Sequence, residues 1–335
     1  PTRRSSDLGL GPGDLRHLTR EALDVFTAAG EVWLRTVHHP LVSDLPAHLK
    51  VHSFDDLYDQ AADFEQVYEQ IAERVLDLDR RQGEVVYAVP GHPLVGEAAV
   101  QLIRTRAAAS DVPVRIVAGL SFIEPVLTAL QVDALAGLQV FDALELAVRY
   151  HPPLNPDFPA LLGQLYSRVL AADVKLTLMN QYPDEHQVAL VDAAGTGAER
   201  VTRLPLHHMD HQEVTHLTTL YVPPLPAVSG FEGLQDTVAH LRAPDGCPWD
   251  REQTHASLRG GLLEETYEVL EAIDCDDTVS LCEELGDLLL QIVLHTQNAT
   301  EEGALNMSAV IRHIDAKLMH RHPHVWGARP VSGTD

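Results

Sequence analysis

Leu263-Glu-Glu-Thr-Tyr-Glu-Val-Leu-Glu-Ala272 and Glu284-Leu-Gly-Asp-Leu-Leu-Leu-Gln-Ile-Val-Leu-His295 decide how the C-terminal part of this chain is read. Within them Glu265 and Glu268, and again Glu284 and Asp287, stand three residues apart inside an apolar periodic segment. That spacing puts each pair on one face of a helix. Fifteen residues separate Glu268 from Glu284, enough to finish one helix, turn and return along an antiparallel partner. Four carboxylates then converge between two helices, and they repel one another unless a multivalent cation lies among them. Oxygen-only ligands favour Mg²⁺ or Mn²⁺ over zinc, and Mg²⁺ points to phosphate chemistry. The competing reading is an ordinary solvated helix face. Leu262, Thr266, Val269, Leu270 and Ile273 are expected to form the core side of the first helix, and Leu281, Leu285, Leu288, Leu289 and Ile292 the core stripe of the second, each bordering its acidic pair. A charge tucked against such stripes is costly unless it is paired, which favours the metal.

Working outward, helical periodicity runs over 231–241, 262–273, 279–300 and 307–321, the last with Asn306 as its cap. Few β signals interrupt it, so residues 227–327 read as an all-α domain, followed by a tail over 328–335. Pro223-Pro-Leu-Pro226 with Val228-Ser-Gly230 marks the linker in front of it. Upstream the texture changes. Helices are expected over 18–29, 63–78 and 95–106 and from the turn at 119–122 to Leu130, with strands over 31–34, 84–89 and 114–117. A second region follows, with a helix over 160–170 and strands over 175–179, 186–191 and 216–221. Strands alternating with helices predict an α/β region over 8–226, in subdomains of about 8–113 and 114–226. The chain is therefore multidomain: a two-subdomain α/β region, then an all-α domain.

Pro1-Thr-Arg-Arg-Ser-Ser-Asp7 has no apolar character, yet it runs straight into Gly9-Leu-Gly-Pro-Gly-Asp14. A glycine-rich loop of this kind normally follows a hydrophobic strand. The expectation is that the first strand is missing and that residues 1–7 are fragmentary or artefactual.

A formal net charge of −25 argues against unspecific binding to nucleic-acid polymers or anionic membranes. Cys247, Cys275 and Cys282 lack metal-ligand spacing and suggest a reducing compartment. The longest strongly apolar stretch, 288–294, is too short to span a bilayer. No signal-peptide pattern is apparent, so a cytoplasmic location is expected.

Phosphate chemistry also needs positive groups. Arg259 precedes the first acidic pair, while Lys317 and Arg321 stand four apart near the end of the last helix, where basic residues also serve the helix terminus. Trp249, in Cys247-Pro-Trp-Asp250, offers base stacking or simple packing. His320, His322 and His324 surround Pro323 without a convincing fourth metal ligand. In the α/β region the glycine turns carry Gly11, Gly13 and Asp14, then Pro90, Gly91 and His92, and Ser121 follows a third turn. Such turns lie where α/β proteins bind ligands. Asp14 could instead cap a turn, and His92 could merely shape its loop.

Cys247-Pro-Trp-Asp250, the two acidic segments and Arg321-His-Pro-His-Val-Trp326 resemble the MazG family, over about residues 231–327. The resemblance implies an all-α nucleoside triphosphate pyrophosphohydrolase that oligomerises through its helices. It implies Mg²⁺ ligation by Glu265, Glu268, Glu284 and Asp287, water attack at the α-phosphorus, and Glu264 or Glu268 as the proton acceptor. Gly260-Gly261 departs from the bulkier residues of the family. Two glycines inside a helix cost roughly 1 kcal/mol each. The stretches 9–14, 18–22, 89–97, 119–122 and 173–179 resemble the tetrapyrrole (corrin/porphyrin) methylases over about 8–226. That resemblance implies S-adenosylmethionine bound near Gly11, Gly13, Asp14, Pro90, Gly91, His92 and Ser121. The expected function is nucleoside triphosphate hydrolysis beside a methylase-like domain of unassigned substrate. The alternatives are a methyltransferase with a regulatory helical domain, or a non-catalytic scaffold.

Overall fold

The computed structural model describes residues 5–58 and 64–327; the tail over 328–335 lies outside the described residues. By the density of internal contacts the chain divides into two compact units, Pro1–Pro226 and Ala227–Asp335.

The first unit opens with β1 (Ser5–Gly9), α1 (Arg20–Ala28), β2 (Glu31–Leu34), β3 (Lys50–Ser53), α2 (Asp55–Tyr58), α3 (Phe64–Gln82), β4 (Val86–Val89), α4 (Ala98–Ala109) and β5 (Val114–Val117). These five strands form a parallel sheet in the order β3-β2-β4-β1-β5. Side chains alternate across β4. Tyr87 and Val89 join a core with Ile71 and Val75 of α3 and Ile103 of α4, whereas Val86 and Ala88 join one with Phe26 of α1. Both faces are thus covered, as a parallel sheet requires.

Where a missing first strand was expected, the structure has β1 itself, hydrogen-bonded between β4 and β5 with Asp7 opposite Tyr87 and Ile116. The strand was hidden because a central parallel strand normally reads as an apolar run, and Ser5, Ser6 and Asp7 are polar. All three are buried. Ser5 Oγ donates to Asp79 and accepts from the backbone N–H of Val85. Asp7 Oδ2 has no hydrogen-bond partner among the described residues, and burial pushes its carboxyl up to about 7 against the pull of Arg104.

The unit continues through α5 (Ile123–Leu130), β6 (Gln139–Asp142), α6 (Ala143–Ala147), β7 (Ala160–Gly163), α7 (Arg168–Leu178), β8 (Gln187–Asp192), β9 (Arg200–Pro205) and β10 (Thr218–Val222). The second sheet runs β6-β7-β10-β8-β9, with only β6 and β7 parallel. Two expectations fail here. The stretch predicted as a helix over 160–170 holds β7, and the predicted strand over 175–179 lies largely in α7. A four-residue apolar run is ambiguous between strand and buried helix. The true helix start is Ser167, whose side chain accepts from Leu170 N–H, and Leu170, Ala171, Val174 and Leu178 form its buried face.

The second unit is helical: α8 (Phe231–Arg242), α9 (Pro248–Glu252), α10 (His255–Asp274), α11 (Thr278–Glu301), α12 (Met307–Arg321) and α13 (Pro323–Trp326). Asn306 caps α12, accepting from Ala309 N–H. Val238, Leu258, Val293, Leu294 and Met307 form a small core; the stripes expected to be core on α10 and α11 are instead half-buried or exposed, with Leu270, Ile273, Leu285, Leu289 and Ile292 open to solvent in the single chain. No helix among the described residues is long and apolar enough to cross a membrane.

Candidate functional site

The two acidic pairs stand on α10 and α11, which pack along their lengths. Thr254 caps α10, accepting from Ser257 N–H, while Ser257 Oγ accepts from Thr254 N–H in return. The helix runs unbroken through Gly260-Gly261, starting well before the expected residue 262. The chain reverses through Asp276, at φ +53°, and Asp277 caps α11 by accepting from the N–H groups of Val279 and Ser280.

Ligand oxygens of Glu265, Glu268 and Glu284 lie within 4.8 Å of one another. Glu265 and Glu284 are half-buried, and Glu268 is exposed. Loss of water raises the Glu265 carboxyl above its ordinary value, and the charges of Asp287 and Glu268 raise it further. Glu284 is raised in the same way, by lost hydration and then by Glu268 and Asp287. Clustered anions that lift one another's pKa form an unfilled demand for positive charge. Three carboxylates with exposed flanks suit a hard divalent ion that keeps part of its water shell, so the residues present fit Mg²⁺ or Mn²⁺.

Not every expected member joins the triplet. Asp287 acts on Glu265 and Glu284 through its charge, but its oxygens fall outside the close group. Glu264 is exposed beside it. Arg259, Lys317 and Arg321 are exposed and form no ion pair among the described residues. Trp249, in α9, is 64% exposed. His322 Nδ1 is engaged with the Leu318 carbonyl, and among the described residues no histidine group has metal-binding geometry.

The sequence already sets Gln291 in line with Glu284 and Asp287 at i, i+3 and i+7, but His295 and Asn298, which continue that row up α11, went unread. Gln291 Oε1, His295 Nε2 and both polar ends of Asn298 are buried without partners, while His295 Nδ1 lies 2.8 Å from His255 Nδ1. Their spacing from Asp287, four, eight and eleven residues, was the available signal.

In the first unit, Gly11 and Gly91 bond to each other, with N···O distances of 3.1 and 2.9 Å in the two directions. Both adopt positive φ. A Cβ on Gly9 or Gly119 would come within 2.4 Å of the Gly91 carbonyl, so these glycines let three loops touch. Gly13 packs on His17. Asp14 is bound by Arg16 and caps the following turn; the Arg16 guanidinium holds its carboxyl down to about 2. Ser121 is buried and donates to Glu124 at 2.7 Å. His92 Nδ1 accepts from Leu94 N–H, beside Pro90. The side chains expected to hold S-adenosylmethionine are thus engaged with neighbours, Asp14 with Arg16, Ser121 with Glu124 and His92 with Leu94, and no fit to that cofactor follows from them. A feature that sequence gave no sign of lies nearby: Arg35 and Glu97 form a buried ion pair at 2.8 Å. Burial raises the Glu97 carboxyl, and Arg35 opposes the rise.

An open parallel α/β sheet joined to a largely antiparallel one, followed by helices carrying a carboxylate cluster, defines an α/β unit fused to an all-helical unit. Residues 8–210 match the family model of the Tetrapyrrole (Corrin/Porphyrin) Methylases, and residues 253–326 match that of the MazG nucleotide pyrophosphohydrolase domain. The chain belongs to the tetrapyrrole methylase family and carries a MazG-like domain behind it, a YabN-like fusion. It is 40% identical over 330 residues to the uncharacterized protein YabN of Bacillus subtilis, covering 95% of this chain and 66% of that relative. It is 52% identical over 100 residues to the nucleoside triphosphate pyrophosphohydrolase/pyrophosphatase MazG of Thermotoga maritima, covering 30% of this chain and 39% of the other. The chain therefore spans just under two thirds of the first relative and about two fifths of the second. The crystal structure of uroporphyrin-III-C-methyltransferase from Thermus thermophilus matches with a TM-score of 0.51 at 19% identity, covering 67% of this chain and 93% of that one. At that identity the likeness is one of fold.

Proposed function

We propose that the helical unit hydrolyses nucleoside triphosphates to nucleoside monophosphate and pyrophosphate with Mg²⁺, or Mn²⁺ in its place. The observation that carries this reading is the convergence of Glu265, Glu268 and Glu284 within 4.8 Å, inside the stretch that matches the MazG domain. Glu265, Glu268 and Glu284 would hold the ion, with Asp287 adding its charge. The bound ion would lower the pKa of water and neutralise phosphate oxygens. Water oxygen bonds to the α-phosphorus, and the bond from that phosphorus to the bridging oxygen breaks, releasing pyrophosphate. Glu264 or Glu268 takes the water's proton. Arg259, Lys317 and Arg321 face the remaining phosphate charge, and Trp249 offers its ring to the base. Exposed apolar side chains on α10 support a homo-oligomer built through this unit.

The test is product analysis with the four common nucleoside triphosphates and millimolar Mg²⁺. Monophosphate and pyrophosphate are expected from the wild type. Glu268→Gln keeps volume but removes a charge and a proton acceptor, so turnover should drop at least 100-fold. Wild-type rates from a folded E268Q protein would sink the assignment.

A further inference from the structure

Glycine costs helix stability, and the two adjacent glycines of α10 sit in different surroundings. A Cβ on Gly260 would meet nothing within 4 Å. A Cβ on Gly261 would stand 3.0 Å from Gln291 Nε2 and 3.6 Å from its Oε1. Gly261 has no positive φ that would demand glycine. What its missing side chain spares is a tight contact that would push the Gln291 amide aside by a few tenths of an ångström.

Gln291 stands on the same stripe of α11 as the carboxylates, one turn beyond Asp287. On α11, Glu284, Asp287 and Gln291 follow one another at i, i+3 and i+7; on α10, Glu268, Glu265 and Gly261 mirror them in reverse order. The contacts fix the pairing: Glu268 and Glu284 belong to the triplet, Asp287 acts on Glu265, and Gly261 faces Gln291. Gln291 is therefore one turn beyond Asp287, roughly 6 Å along the axis. Side chains of a helix lean toward its N-terminus, so Gln291 leans over the Asp287 turn while Glu265 leans over the Gly261 turn. Gln291 Oε1 is buried and has no hydrogen-bond partner. Leaving an acceptor enclosed and unpaired costs about 1–3 kcal/mol, so packing alone does not account for a polar residue here.

We propose that Gln291 is a positioning residue of the carboxylate site, its amide oxygen accepting from water carried by the divalent ion, in space kept open by Gly261. This rests on the reading of the carboxylates as an ion site. A hard ion held by few carboxylates keeps several waters, and their protons need acceptors beyond the ligands themselves. A neutral amide supplies one without adding a fourth or fifth negative charge to the cluster.

The experiment measures the Mg²⁺ concentration at half-maximal thermal stabilisation of the full chain, at constant ionic strength, for wild type, Gln291→Leu, Gly261→Ala and Gly260→Ala. Q291L should need at least about tenfold more Mg²⁺, yet melt no lower than wild type in the absence of ion, because it removes an orphaned acceptor. G261A and G260A both gain helix propensity, but only G261A should raise the Mg²⁺ requirement. In turnover, Q291L should recover activity at high Mg²⁺. An unchanged Mg²⁺ midpoint in Q291L and G261A overturns the proposal, as does a Q291L protein that is simply less stable without ion and equal in Mg²⁺ response. If the wild type itself shows no Mg²⁺ stabilisation, the ion site falls, and this role for Gln291 falls with it.

Discussion

Asp7 shows how a single residue can add to the pH response of a whole unit, beside Glu97, whose carboxyl is also raised by burial. It is 1% exposed in the middle of the first sheet, with one carboxyl oxygen unpartnered. Its folded-state carboxyl, pushed up to about 7 from an ordinary 3.8, binds a proton more tightly than the unfolded chain does. The linked stability is fully present below about pH 4 and is lost as pH rises toward 7, on the order of 4 kcal/mol in all. Asp7→Val should therefore raise the melting temperature of the first unit far more at pH 8 than at pH 4, while also supplying the β-branched residue that a central strand favours. Equal shifts at both pH values would show that Asp7 does not govern the slope. Residues of this kind resist reading from sequence: Asp7 is polar where an apolar residue belongs, and the Arg35–Glu97 pair joins positions 62 apart in the chain. By contrast, Glu265, Glu268 and Glu284 were legible because helical spacing is local.

Among elements, α10 and α11 are readable from sequence because apolar and acidic stripes repeat with the helical period over several turns. The α10 start was misjudged: the helix was expected from residue 262, but the capping pair Thr254 and Ser257 opens it earlier, Leu258 is buried on it, and it runs through Gly260-Gly261. β7 and α7 were exchanged for a related reason, since four apolar residues carry too little period to choose between strand and helix. The outer stripe of α10 has a consequence of its own. Leu263, Tyr267 and Leu270, at i, i+4 and i+7, are 59%, 63% and 49% exposed. Fully covering such side chains contributes about 1.5–3 kcal/mol each, and an exposed apolar row of this size marks a protein contact. Light scattering should find the chain as a dimer or larger, and Leu270→Glu should shift it toward monomer with little loss of helix. A wild type that is monomeric at tens of micromolar would remove the argument for self-association through this face.

At the scale of the molecule, the division into Pro1–Pro226 and Ala227–Asp335 falls in the proline-rich segment that ends at Pro226. Each unit has its own core: none of the buried clusters of the first unit includes a residue beyond 226, and the cluster around Val238 and Val293 draws on none before it. A chain cut there keeps the core around Val238 and Val293. It keeps the carboxylate triplet, Asp287, Gln291 and the basic residues Arg259, Lys317 and Arg321. A fragment beginning near Val228 should accordingly show a helical circular dichroism spectrum and Mg²⁺-dependent release of pyrophosphate within several-fold of the full chain. It should also keep the oligomeric state that the α10 stripe predicts, since that stripe lies wholly inside it. A fragment that is helical and oligomeric but inactive, beside an active full chain, would mean that the methylase-like unit completes or closes the hydrolytic site. The two units would then be parts of one catalyst, and the search for the first unit's role would turn from methyl transfer to nucleotide hydrolysis.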